Sequence, residues 1–481
     1  MSCAAAYEAY RGLLALQHRG QDAAGILTYD TFTKMFAMEK DLGLVAQVFT
    51  QDKIEKLNGF MAIGHTRYAT AGGDGKRDIQ PMVEGIPFGL GMVHNGNALN
   101  YYQLKEELSE KFRHQLLTAN DLEALIHYFG HFLMNGQALP TEKTFTFDNI
   151  KQAAAKMFET VNGGYAVLGL IAGQGMVGFR DPKGIRPMAL GFKETVDGAK
   201  HWCVSSETIA MTYLGYTYLR DIEPGEVFFI DMDANFQSAI VKKEPERAHC
   251  MFEWVYFSGA ESAIDHQTVY GARLKLGVQL GYKAQAAIDA GEIAPDVVMP
   301  VPDTSRTAAI SIADALKLPY REGLIKNRYV ARSFILANQD KREHAVELKL
   351  SPIVSEIAGK SILLIDDSIV RGTTSMRIIS LLKRHGAKEI TLAITCPPIR
   401  HPCFYGVDFP DSNDLIAHNK TVEETAELIG VKKVIYLDEE DLRQAIGTSK
   451  LCMACVNKKY PTVVTEAENY ARERQKARIS G

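Results

Sequence analysis

Apolar positions follow two different rhythms along the chain. Up to about residue 235 short apolar runs alternate with Gly-rich turns, the clearest being 60–64, 89–93, 165–171 and 226–230. Runs of that length read as strands, whereas the apolar positions of 4–16 and 121–133 recur at helical spacing. Many short strands with interposed helices predict a layered α+β domain over 1–235. Glu223-Pro224-Gly225-Glu226 predicts a turn into a closing hairpin. Beyond about residue 265 the order changes to helix 271–290, strand 296–301, helix 308–316, strand 361–365, helix 375–385 and strand 389–395. Gly386 stands where a helix C-cap glycine belongs. Strand, loop, helix, strand is the pattern of a parallel α/β sheet, here assigned to 250–481. The last sixty residues read as mostly helical and polar, and the boundary falls near 235–250.

Composition narrows the class. The chain has 481 residues and a formal net charge of -4, with both signs nearly balanced. That is not the charge of a protein that coats nucleic acid or an anionic membrane. No apolar run reaches the ~18 residues of a membrane helix, and no basic-then-apolar leader opens the chain. A cytoplasmic protein with no nucleic-acid and no membrane partner is expected. Seven scattered cysteines do not suggest a disulfide framework, but Cys452-Met453-Ala454-Cys455 has the spacing of a metal grip, with a redox pair as the alternative.

The strongest chemical signal follows Ile362-Leu363-Leu364-Ile365, a run fit for a buried parallel strand. It ends in Asp366-Asp367, then Ser368-Ile369-Val370-Arg371-Gly372-Thr373-Thr374 and a helix. A loop that opens a helix beyond a strand's carboxyl end offers amides to an anion, and Gly372 lets the backbone come close. Ser368, Thr373 and Thr374 add hydroxyls, which makes a cradle for a 5-phosphate. Adjacent carboxylates would repel phosphate, so Asp366 and Asp367 are assigned to ribose hydroxyls and Mg²⁺. The Gly-Lys-Ser/Thr ending of a Walker loop is absent, and no strand leads into G-x-G-x-x-G.

This segment resembles the type I phosphoribosyltransferase motif, and the chain from about residue 4 to about 465 resembles the amidophosphoribosyltransferases. The resemblance implies synthesis of 5-phosphoribosylamine from 5-phosphoribosyl 1-pyrophosphate and glutamine-derived ammonia, the first step of purine biosynthesis. It implies an N-terminal-nucleophile hydrolase-like αββα sandwich followed by an α/β type I phosphoribosyltransferase domain. Val301-Pro302-Asp303-Thr304-Ser305 resembles the family's pyrophosphate loop, with Asp303 as a substrate contact and Thr304 completing the Mg²⁺ site of Asp366 and Asp367. Lys326 to Arg332 resembles the loop that closes over substrate, with Lys326 and Arg332 on pyrophosphate and Arg371 among the substrate contacts; Ala331 replaces the family's glycine.

Leu16-Gln17-His18-Arg19-Gly20-Gln21-Asp22, Gly64-His65-Thr66-Arg67-Tyr68-Ala69-Thr70 and His94-Asn95-Gly96-Asn97 resemble, in that order, the class II glutamine amidotransferases. Asn95 (side chain) and Gly96 (amide) would stabilise the oxyanion, Arg67 would fork onto the glutamine carboxylate, and Asp121 would hold its ammonium. The family opens with a cysteine, a glycine and an apolar strand. This chain opens Met1-Ser2-Cys3-Ala4, directly at a helix, so that nucleophile is not found, and Cys3 is too close to His18 to replace it. The expectation is that the true start lies upstream and that 1–235 is N-terminally incomplete; the alternative is an ammonia-dependent transferase with an inactive glutaminase domain. Cys250, Cys403, Cys452 and Cys455 match one branch's [4Fe–4S] ligands, though four thiolates also suit zinc. Cys203 and Cys396 read as buried core thiols. A homotetramer and inhibition by purine nucleotides follow from the resemblance. A non-catalytic sensor of phosphoribosyl pyrophosphate is disfavoured, since Lys326 and Arg332 are present.

Overall fold

The computed structural model describes residues 4–68, 75–134, 146–196, 198–327 and 350–467. In the first half, α1 (Ala4–Ala15) precedes β1 (Ala23–Asp30), β2 (Met35–Leu42), β3 (Ala62–Arg67), β4 (Met82–Glu84) and β5 (Leu90–Ala98). Then follow α2 (Asp121–Leu133), α3 (Phe147–Thr160), β6 (Gly163–Ile171), β7 (Gly175–Arg180), β8 (Ala189–Glu194), β9 (Lys200–Ser205), α4 (Thr208–Leu214), β10 (Thr217–Asp221), β11 (Glu226–Asp231) and β12 (Phe236–Ile240). They form a six-stranded sheet, β12-β11-β7-β6-β5-β4, and two three-stranded sheets, β2-β1-β3 and β10-β8-β9.

Side-chain alternation decides the layers. Met92, Val167, Val177 and Val227 point from the six-stranded sheet toward Leu125, Phe129 and Ala153 of α2 and α3. Its other face meets both smaller sheets, through Val93 and Leu170 against Leu27 and Ile63, and through Phe228 and Ile230 against Met188 and Leu190. Ala6 and Leu13 of α1 cover the outer side of β1 with Ala24 and Ile26. The order helix, sheet, sheet, helix is the αββα sandwich expected. The turn at Glu223 closes by the Glu226 amide donating to the Glu223 carbonyl at 3.0 Å, with Gly225 at φ +72°.

The second half begins with β13 (His249–Cys250), followed by α5 (Val269–Asp289), β14 (Val297–Pro300), α6 (Arg306–Leu316), β15 (Ser361–Asp366), α7 (Thr373–Arg384), β16 (Glu389–Ile394), β17 (Lys433–Tyr436) and β18 (Leu451–Cys452). A parallel sheet runs β14-β15-β16-β17. All six residues of β15 are buried, as a strand covered on both faces requires. α5 lies tight on α6 because a Cβ at Gly277 would collide with Ser311 and the Ala308 carbonyl. The reading of the last sixty residues as mostly helical needs correction: β17 is a strand and completes the sheet. Its four residues are too few to show a rhythm, and the strand opens on Lys433 directly after Lys432.

Candidate active site

β15 carries Asp366 and Asp367 to the carboxyl end of the parallel sheet. Both are buried, 9 % and 7 % exposed. Asp366 Oδ1 accepts the Asp367 amide at 2.9 Å and the Ser305 hydroxyl at 3.2 Å. Asp367 accepts the Thr304 hydroxyl and, at 2.7 Å, that of Ser368. Burial pushes both carboxyls above their ordinary range. The charge of Asp367 raises Asp366 further, while the hydroxyls and Arg273 draw Asp367 part of the way back. Two adjoining buried acids raised in this way are costly to ionise together.

The chain then turns through Gly372, whose φ of +76° and closeness to Ile416 leave no room for a Cβ. α7 starts at Thr373, two residues before the predicted start at 375, so Thr373 and Thr374 open its first turn. Amides of a first turn have no intrahelical acceptor and face outward from the helix end. Arg371 is half exposed and reaches Asp414 at 3.3 Å. Asp303 takes Arg306 and Lys326, each at 2.9 Å. Arg332 lies outside the described residues.

In the first half, Arg67 ends β3 and is buried, and Asp121 opens α2 behind Asn120, whose side chain accepts the Leu122 amide at 3.0 Å. Asp121 Oδ2 accepts the Ala98 amide at 2.8 Å, and Oδ1 lies 3.4 Å from His94 Nε2. Asn95 Oδ1 accepts Arg186 Nη2 at 3.0 Å, so that the amide nitrogen is the end left for an oxyanion. Gly96 has φ +135°, and a Cβ there would collide with the Gly164 carbonyl. Burial, with the charges of His94 and Arg67, lowers His65 to about 3, so it stays neutral.

One cavity of about 580 Å³ brings the two sets together. Arg67, Asn95, Gly96 and Asp121 line it, as do Thr304, Asp366, Asp367, Ser368, Arg371, Gly372, Thr373 and Thr374. Asp303 and Lys326 face each other outside that lining. Phe252, Phe257 and Phe409 give the wall apolar surface. Sequence reading missed the charges that join the halves here. Arg19 donates to Glu207 at 2.6 Å and forks onto Glu253 at 2.8 and 2.9 Å, and Arg186 reaches Glu253 at 3.2 Å. Burial would raise Glu253, but Arg19 and Arg186 outweigh it and hold the carboxyl far below its ordinary range. Nothing in the local sequence of Glu253 or Arg186 signals partners so distant along the chain. Asn97 Nδ2 also donates across the halves, to the Phe404 carbonyl at 3.0 Å.

Cys250 and Cys452 lie directly opposite each other where β13 pairs in parallel with β18. The amides of Arg400 and His401 donate to the Cys455 carbonyl at 2.9 Å, which brings in the segment of Cys403. Cys250, Cys452 and Cys455 are buried and Cys403 nearly so; none is in a disulfide. Burial raises the Cys455 thiol, and the charges of Cys403, Cys396, Cys452 and Cys250 raise it further, so these thiols share one neighbourhood. Among the described residues no three His, Cys, Asp or Glu side chains converge on a single metal ion. Cys396 is a core thiol as expected, 3.9 Å from Met251 Sδ. Cys203 is only partly buried and lines a second cavity.

A phosphoribosyl transferase domain family matches residues 279–408, and a glutamine amidotransferase domain family matches 65–212. An amidophosphoribosyltransferase of Pseudomonas aeruginosa is 41 % identical over 443 residues, covering 92 % of this chain and 86 % of the relative. One from Methanocaldococcus jannaschii is 40 % identical over 479 residues, covering 96 % of each. Among solved structures, the glutamine phosphoribosylpyrophosphate amidotransferase of B. subtilis, complexed with ADP and GMP, matches with TM-score 0.82 at 38 % identity over 95 % of both chains. Fold, paired domains and full-length similarity agree, and the chain belongs to the amidophosphoribosyltransferase family.

Proposed function

We propose that this chain transfers an amino group, as glutamine-derived ammonia, to 5-phosphoribosyl 1-pyrophosphate, giving 5-phosphoribosylamine in the first step of purine biosynthesis. The single cavity lined by Arg67, Asn95 and Asp121 at one end and by Asp366 to Thr374 at the other carries this reading.

Arg67 forks onto the α-carboxylate of glutamine, Asp121 takes its ammonium, and Asn95 and Gly96 donate to the oxyanion as the amide is attacked. The aromatic wall keeps water from the ammonia released. Gly372, Thr373 and Thr374 hold the 5-phosphate, with Ser368 and Arg371 beside them. Asp366 and Asp367 accept the ribose hydroxyls. Asp303, Lys326 and Arg332 meet the pyrophosphate. The nitrogen lone pair of ammonia bonds to ribose C1 as the bond from C1 to the pyrophosphate oxygen breaks, and that electron pair leaves with pyrophosphate. The surplus proton goes to solvent. The two aspartates stabilise the positive charge on the ring. Thr304, Asp366 and Asp367 would hold Mg²⁺, which supplies charge neutralisation to the leaving group.

Three buried thiols and one partly buried, from three chain segments, fit a [4Fe–4S] cluster held by Cys250, Cys403, Cys452 and Cys455. Its role is structural, tying the 249–250 segment to the chain's last third. No described helix is long and apolar enough to cross a membrane; we place the enzyme in the cytoplasm as a homotetramer inhibited by purine nucleotides. A relative in complex with ADP and GMP supports the last point.

One observation favours a second reading, an ammonia-dependent transferase: among the described residues no cysteine lines the cavity. Assays with phosphoribosyl pyrophosphate and Mg²⁺, supplied with ammonium or with glutamine, separate the two. Turnover with both supports the first reading, and turnover with ammonium alone supports the second. Turnover with neither overturns both.

A further inference from the structure

α1 ends in a short turn over Gln17–Arg19, and Gly20 holds it against the end of β3, where a Cβ would collide with the backbone of Arg67. The turn sets His18 on the wall of the cavity that the two halves share. His18 Nε2 lies 2.8 Å from Oε1 of Glu207, at the start of α4. Glu207 is buried and also accepts Arg19 Nη1 at 2.6 Å, the Gly259 amide at 2.8 Å and the Ser262 hydroxyl at 2.8 Å. Burial would raise this carboxyl, but Arg19 and His18 outweigh it and hold it at about 2, so it is ionised and can only accept. His18 Nε2 therefore donates, and Nδ1 carries the lone pair. Among the described residues Nδ1 takes no hydrogen bond.

A fixed carboxylate behind an imidazole whose other nitrogen is free is the arrangement of a general base, and imidazole exchanges protons near neutral pH. The charged and titratable groups around it are Arg19 and Glu207, His65 and Arg67 of β3, and Glu253 and Tyr256 of the 253–257 turn. The other histidines of the described cavity wall cannot serve. His94 is engaged on both sides, by Gln80 at 2.9 Å and Asp121 at 3.4 Å, and burial, with the charges of His94 and Arg67, lowers His65 to about 3. The transfer described above needs a base, because ammonium, like a lysine amine, is almost wholly protonated at neutral pH and has no lone pair to give to ribose C1.

We propose that His18, oriented by Glu207, is the proton acceptor of the shared cavity and converts ammonium that enters it to ammonia for the transfer. This rests on the transferase reading given above. One nitrogen–hydrogen bond of ammonium breaks, its electron pair stays on the nitrogen, and the proton moves to Nδ1. The ammonia bonds to ribose C1 as pyrophosphate leaves, and its own surplus proton goes to solvent. Glu207 stabilises the imidazolium formed meanwhile. The His18 side chain is 35 % exposed, so it can return the proton to water before the next turnover. A histidine that only pinned the turn to α4 would use Nε2 alone, and this difference makes the two roles separable.

The test measures transfer from ammonium chloride to phosphoribosyl pyrophosphate, with Mg²⁺ and the full chain, at about pH 7 and about pH 9.5. His18→Gln can still donate to Glu207 but cannot take a proton. At the lower pH it should be ~100-fold slower than the wild type, the usual scale for a general base. The deficit should shrink to a few-fold at the higher pH, where free ammonia is plentiful, and KM for phosphoribosyl pyrophosphate should not change. His18→Ala should be as slow at the lower pH and recover about tenfold with added imidazole. No deficit at the lower pH, or a deficit of equal size at both, overturns the base and leaves His18 a pin. Failure of imidazole to rescue His18→Ala that melts like the wild type overturns it as well. Absence of transfer by the wild type at both pH values is a separate result, which strikes the transferase reading and this proposal with it.

Discussion

Asp366 and Gly372 stand six residues apart and fail in opposite ways when changed. Asp366 is an acid that the fold would rather keep protonated, because burial and Asp367 raise it. A carboxyl raised in the fold stabilises below its unfolded pKa and loses that contribution as pH rises through the folded value, so at neutral pH its ionised form strains the metal-free protein. Asp366→Asn should therefore raise the melting temperature measured with chelator at pH 7.5. The same change should lower ammonium-driven transfer ~100-fold, the scale expected when a preorganised charge is removed. A melting temperature that falls would contradict the electrostatic account. Gly372→Ala tests the backbone. A left-handed residue with a Cβ costs ~1–2 kcal/mol before the collision with Ile416 is counted. The loop should shift, raising KM for phosphoribosyl pyrophosphate while the fold survives; kinetics and a thermal melt on the same sample check both halves.

Between elements, the turn after α1 is fastened to residues 253–257 by the fork from Arg19 to Glu253, and to the start of α4 by Arg19 to Glu207. All three side chains are nearly inaccessible, so Arg19→Ala removes the cation that two buried carboxylates share, leaving Arg186 on Glu253 and His18 on Glu207, and should destabilise by ~3 kcal/mol in denaturant titration. Glu207 and Glu253 are held low in the fold despite burial, so their contribution is complete above about 4.5 and is lost as pH falls toward about 2. The wild type should lose stability steeply over that window, and Arg19→Ala should lose less. None of this network was legible in the sequence, because its members sit 188 and 234 residues apart. What was legible had local causes. An all-buried run, two acids and a glycine before a helix announced the phosphate loop, since sheet burial and loop geometry act within a dozen residues. The short strand β17 escaped because its place is set by β16 beside it and not by a rhythm of its own.

At the scale of the whole molecule, residues 249–250 and 451–452, far apart in the chain, meet where β13 pairs with β18. β13 and β18 pair over only two residues, too few to hold two distant segments by backbone bonds alone. Cys250 and Cys452 face each other in that pair, with Cys403 and Cys455 in the same neighbourhood. If a cluster joins them, metal binding contributes to the stability of this junction and its loss loosens the junction selectively. Protein purified without oxygen should contain iron and acid-labile sulfide in equal amounts. Cys452→Ser should lose both, melt at lower temperature and become open to protease between 240 and 249. Cys396→Ser is the control, for Cys396 adjoins the four but packs on Met251 in the core. It should keep its iron. Zinc in place of iron would overturn the cluster and leave the four thiols as the zinc ligands, whereas iron loss in Cys396→Ser with retention in Cys452→Ser would show that another set of thiols fastens the two ends of this half.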